Sequence, residues 1–133
     1  MAEYMTRPLW TQVREPNKRE CVWLYREQSA FDLAARVTGK NAVTEEAYNA
    51  AHKLLDSVQR YALADARAWE LDNDEACSGK SWLVERQKRL DARRENLQKR
   101  LAPYGVHLEN YGLYPTIVEN DTKNSLYYLH YFE

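Results

Sequence analysis

The longest periodic stretch of the chain runs from Thr44 to Asp74 and contains neither glycine nor proline. Ala47, Ala51, Leu54, Leu55, Val58, Ala62, Ala66 and Trp69 recur there at three- and four-residue steps, the period of one helix face. Tyr48, Tyr61 and Leu71 widen that face. The pattern predicts one long α-helix of roughly 45 Å, from the rise per residue of an α-helix. Thr44 stands at the N-cap position, where its hydroxyl can accept from an orphan backbone N–H. Glu45 and Glu46 then meet the positive end of the helix dipole. Such a helix exceeds the width of a small domain, so one end is expected to project or kink. Its alanines admit a close neighbour, either within the core or across a dimer interface.

Two other patterns flank this helix. On the N-terminal side, Leu9–Arg14 and Glu20–Tyr25 are β-rich and bracket the turn sequence Glu15-Pro16-Asn17-Lys18. Cys21, Trp23 and Tyr25 alternate with Glu20, Val22 and Leu24, so the reading is a β-hairpin; a helix over Glu20–Val37 competes with it. Ser29-Ala30-Phe31-Asp32 resembles a capping pattern and opens a short helix through Phe31, Leu33, Ala34 and Val37, with Gly39 at its C′ position. On the C-terminal side, Asp72–Lys80 is polar and forms a loop. A third helix follows over Ser81–Ala102, with the stripe Leu83, Leu90, Leu97 and Leu101, stopped by Pro103 and Gly105. Val106–Glu109, Tyr114–Glu119 and Ser125–Phe132 then read as strands joined by turns at Asn110–Gly112 and Asn120–Asn124. The expected fold is a single α+β domain over residues 1–133. A long antiparallel helical hairpin and a short helix pack on an antiparallel sheet made of the N-terminal hairpin and a C-terminal three-stranded meander.

Composition narrows the class. With 133 residues, 44% hydrophobic and 12% aromatic, the chain can build a core and is not of disordered type. The net charge of −1 gives no global attraction to polyanions or membranes. No apolar run approaches the length of a membrane span, and no secretory signal pattern is present. Cys21 and Cys77 lack metal or redox spacing. A cytoplasmic location, within a host cell, is the resulting expectation. The charge is blocked, however. Residues 44–75 hold eight acids and three bases, whereas residues 81–102 hold seven bases and three acids. An acidic helix followed by a basic one suggests a hairpin whose halves answer each other.

Catalytic and cofactor chemistry finds little footing. Ser78-Gly79-Lys80-Ser81 looks like the end of a phosphate-binding loop, but Asp74 stands where its first glycine is needed. Asp72-Asn73-Asp74-Glu75 lacks the glycine and terminal glutamate of a calcium loop. His52, His107 and His130 have no ligand-pair spacing, although His107 and His130 can meet across a sheet. No nucleophile elbow or dinucleotide fingerprint occurs. No catalytic residue, metal or cofactor is therefore assigned, and the chain is read as a non-enzyme.

Two surfaces remain as candidates. Tyr111, Tyr114, Tyr127 and Tyr131 belong to a tyrosine-rich tail, and tyrosine suits protein interfaces because it offers large area at low entropic cost. Arg86, Arg89, Arg93, Arg94 and Arg100 surround the leucine stripe of the basic helix and are candidates for phosphate contacts. Leu101-Ala102-Pro103-Tyr104-Gly105 and Gly112-Leu113-Tyr114-Pro115-Thr116, after a basic helix, resemble small proteins encoded by phages and prophages. That resemblance covers the last third of the chain and carries over no functional residue. It implies a compact inhibitor or adaptor of host machinery, anti-CRISPR proteins among them. The leading expectation is a non-enzymatic protein that docks on a host protein or nucleoprotein through its tyrosine-bearing sheet and a face of the basic helix. The alternatives are direct nucleic-acid binding by residues 81–102, and a structural protein that dimerises through its long helix; monomer and homodimer both stay open.

Overall fold

The computed structural model describes residues 4–5, 18–111 and 114–128. Within them the chain is α+β. Helices α1 (Lys18–Thr38), α2 (Glu45–Asp72) and α3 (Ser81–Leu101) lead, through a single 3-10 turn at Ala102–Tyr104, into strands β1 (Val106–Tyr111), β2 (Tyr114–Glu119) and β3 (Ser125–Tyr128).

α2 forms where the local signals place it. Thr44 caps it by accepting from the Ala47 N–H, and Glu45 and Glu46 occupy its first turn. The helix is about 42 Å long. It is the middle member of the helical layer, with α1 packed on one side and α3 on the other. Ala51, Ala62 and Ala68 are buried within the chain, so these small residues serve close packing of the chain on itself. Near the C-terminal end of α2, Trp69 is 51% exposed while Ala68 beside it is buried.

α1 overturns the expected N-terminal hairpin. Glu20–Tyr25, read above as a strand, lies inside one helix that continues past Ser29 to Thr38. Cys21, Val22, Trp23, Leu24 and Tyr25 are five apolar residues in succession, a run that fits either period; continuity with the helical residues after it decides the outcome. Ser29 is accordingly a buried residue of the helix interior and not a cap. Gly39 follows the helix with φ 98°, a left-handed conformation that glycine adopts without strain, and its N–H donates to Ala35 O at 2.9 Å. Leu9–Arg14 lies outside the described residues.

The strands pair antiparallel in the order β1-β2-β3. β1 and β2 pair continuously from Val106↔Glu119 to Tyr111↔Tyr114, and an irregularity at Ile117/Val118 interrupts the pairing of β2 with β3. Val106, Leu108 and Ile117 join Phe31, Leu33, Leu55, Val58, Tyr61, Leu97 and Leu101 in one core. Gln98 of α3 seals the helix to the sheet edge: its side-chain N donates to Leu108 O at 3.1 Å and its carbonyl oxygen accepts from the Leu108 N–H at 2.8 Å. Thr116 and Val118 are as deeply buried as Ile117, so β2 is covered on both of its faces.

A second tie joins α1 to the sheet. Arg36 Nε donates to Tyr104 O at 2.7 Å and Nη2 to Gly105 O at 3.3 Å, while Nη1 lies 3.3 Å from Glu119 Oε1. Asp121, at 4.0 Å, completes the acidic side of the same guanidinium.

Candidate functional site

Leu83, Leu90, Leu97 and Leu101 turn one face of α3 into the core. That leaves two flanks with different neighbours. On the flank towards α2, Arg94 Nη1 donates to the buried Tyr61 hydroxyl at 3.3 Å, and its guanidinium stands 6.0 Å from the ring centroid. Asp65 lies in the same cluster, with Gln87 as a hydrogen-bond partner and Arg94 and Asp91 as charged neighbours. Arg94, grouped above with possible phosphate contacts, is therefore turned inward and partly buried. It belongs to the α2–α3 seam.

Of the expected charge pairing between the two helices, only the electrostatic interaction of Arg94 with Asp65 is present among the described residues. Among them no direct salt bridge joins α2 to α3. Asp56 of α2 pairs instead with Arg26 of α1 at 2.9 Å, and His52 lies between Glu27 at 3.6 Å and Asp56 at 3.7 Å. Lys88 pairs within α3, with Glu85 at 3.4 Å. The reason is angular. The leucine stripe occupies the surface that faces α2, and most bases of α3 lie beyond reach on the other flank.

That outer flank is the candidate site. Trp82, Arg86, Arg89, Arg93 and Arg100 follow one another at helical three-, four- and seven-residue steps, which stacks them along one edge. Arg89, Arg93 and Arg100 are exposed and Arg86 is half-buried. None of the four has a carboxylate partner among the described residues. The acids of α3, Glu85, Asp91 and Glu95, fall outside this edge. From Arg86 to Arg100 the edge measures about 21 Å. The start of α3 adds to its positive field, since no side chain caps that terminus and no acid occupies its first turn.

The acidic side is equally well defined. A shallow groove of about 340 Å³ separates the end of α2 from the start of α3, lined by Ala68, Asp72, Leu83, Val84, Gln87 and Asp91 among others. Asp72 and Asp91 contribute negative charge to its lining and Lys88 positive charge.

Burial raises the Asp65 carboxyl above its ordinary value, with Arg94 opposing and Asp91 adding to the shift. The folded chain thus holds this proton more tightly than the unfolded chain. Asp65 detracts from stability once the pH exceeds its folded value, and that penalty disappears as the pH falls below the unfolded carboxylate range. Asp65→Asn is expected to raise the melting temperature at pH 7, and the gain over wild type should vanish in a thermal melt under acid conditions. An equal gain at both pH values would contradict the assignment.

The other candidates fare differently. The backbones of Tyr111, Tyr114 and Tyr127 lie in β1, β2 and β3, and residue 127 pairs with the fully buried Ile117. The side chains of these three tyrosines, and Tyr131 altogether, lie outside the described residues, as does His130. His107 bonds Asn120 through Nδ1, and its Nε2 lies 3.4 Å from Glu109. Among the described residues no three His, Cys, Asp or Glu side chains converge to hold a metal ion. Ser78–Ser81 follows a helix, not a strand, and Gly79 there adopts φ 77° in the turn before α3. Among the described residues no helix is long and apolar enough to cross a membrane.

Sequence reasoning saw the arginines but not the sorting of Arg94 from the rest, nor the place of Trp82 on their edge. The spacing of 82, 86, 89, 93 and 100 carried that signal. No protein-family model, no curated protein and no solved structure matches the chain. What the fold and site define is therefore a class of surface: an α+β domain with one cationic helix edge.

Proposed function

We propose that the chain is a non-enzymatic binding protein that holds nucleic-acid phosphates on the outer edge of α3. One observation carries this reading: Arg86, Arg89, Arg93 and Arg100 share an edge and have no carboxylate partner among the described residues. Like charges stacked at such spacings repel by a few tenths of a kcal/mol per pair. A row of phosphates converts that repulsion into attraction, and each neutralised phosphate releases condensed counterions. An edge of about 21 Å matches roughly six nucleotides of one strand. In the phage setting that the C-terminal motifs suggest, the target is nucleic acid or a host nucleoprotein, and an anti-defence inhibitor is one form of such a protein.

Fluorescence anisotropy with a labelled oligonucleotide, repeated across salt concentrations, tests the reading. Four phosphate contacts predict that log affinity falls with log salt at a slope of about −3 on a single strand. Replacing both Arg89 and Arg93 by alanine should roughly halve that slope. Absent binding, or affinity indifferent to salt, would refute the proposal.

A further inference from the structure

Resting on that reading, we infer that the ligand is a single-stranded nucleic acid and that one of its bases stacks on Trp82. Trp82 is 49% exposed although Leu83, its neighbour in sequence, is buried in the core. An indole left in water is an unused apolar surface. This one lies on the same edge as the arginines, four residues before Arg86 and one helical turn from it. An aromatic plane in line with a row of phosphate-binding cations is the arrangement that single-strand binding uses. Every base presents a π-face to stack on, while the backbone follows the charges. A duplex hides its base faces, so Trp82 would have nothing to stack against.

Charge layout favours the same ligand. Glu70 and Asp72 are exposed at the C-terminal end of α2, Asp74 and Glu75 are exposed in the loop that follows, and Trp82 lies in the first turn of α3 just beyond that loop. These acids oppose the broad double row of phosphates that a duplex would bring to this end of the hairpin. A single strand can keep to the outer edge of α3 and avoid them. The edge from Trp82 to Arg100 is about 27 Å long.

Binding of a labelled oligothymidylate and of a labelled hairpin duplex of equal length, at one salt concentration, tests the inference. Wild type should prefer the single strand. Trp82→Ala should weaken the single strand about tenfold and leave the duplex unchanged. Trp82→Phe, which keeps an aromatic plane and guards against a folding defect, should retain most of the affinity. An unchanged single-strand affinity in Trp82→Ala, or an equal loss on both probes, would overturn the stacking assignment. So would wild-type binding that is as tight on the duplex as on the single strand. These outcomes differ from failure of the underlying reading, in which neither probe binds wild type and alanine at Arg89 and Arg93 changes nothing.

Discussion

Tyr61→Ala is expected to lower the unfolding free energy by about 3–5 kcal/mol, the range for removing a buried aromatic side chain. Tyr61 is 1% exposed and is among the largest fully buried side chains of the described chain. It sits in the middle of α2, in the core that α2 shares with α1, α3 and the sheet. Its ring fills volume that flanking leucines and alanines are too short to reclaim, and its hydroxyl holds Arg94. Truncation therefore leaves a cavity and strips a half-buried guanidinium of its partner. A loss of that size is a large share of the stability of an ordinary domain. Chemical denaturation should show it as a marked fall in midpoint. Tyr61→Phe separates the two contributions: the ring stays, the hydrogen bond goes, and the expected loss is only about 0.5–1.5 kcal/mol. A Tyr61→Ala loss below about 1 kcal/mol would mean that this ring does not fill the core as described.

Arg36→Ala is expected to cost about 1.5–3 kcal/mol, the range for hydrogen bonds made by a charged group. One guanidinium donates to Tyr104 O and Gly105 O and faces Glu119. The two carbonyls lie at the end of the 3-10 turn before β1, which is itself closed by the Gly105 N–H donating to Ala102 O at 2.9 Å, and Gly105 O also accepts from the Asn120 N–H at 3.0 Å. Lysine should restore little, because a single ammonium cannot reproduce a planar fork aimed at two carbonyls and a carboxylate. Gly105 reports on the same junction. It adopts φ 72°, and a Cβ there would stand 3.1 Å from Arg36 Nη2. Denaturation midpoints of Arg36→Ala and Arg36→Lys that match wild type would remove the tie from the account.

These two sites show where sequence reading succeeds and stops. The cap at Thr44, the glycine that ends α1 at Gly39 and the coarse α+β class were legible because their signals are local: a hydroxyl before an apolar period, a glycine after one. Cys21–Tyr25 was not legible. Five apolar residues in a row satisfy both periods, and only the helix that continues beyond them settles the matter. The charge blocks were only partly informative, for a different reason. Counting bases over residues 81–102 ignores azimuth, and azimuth decides that Arg94 meets Tyr61 while Arg89 and Arg93 meet solvent. Arg36 gave no signal at all, since its acceptors are backbone carbonyls far along the chain. Trp82 and the arginines were each visible, but their shared edge emerges only once α3 has a fixed inward face.

The Arg36 tie also orders the way the chain comes together. Its hydrogen bonds join residues 68 and 69 positions apart, whereas α2 finds each neighbouring helix across a short connection. Closing so long a loop is costly before the helical layer exists, and inexpensive once α1, α2 and α3 have brought its ends together. The Arg36 tie is therefore expected to form late, once the helices are assembled. A guanidinium that engages after the rate-limiting step acts as a latch: its loss speeds unfolding and leaves the folding rate almost untouched.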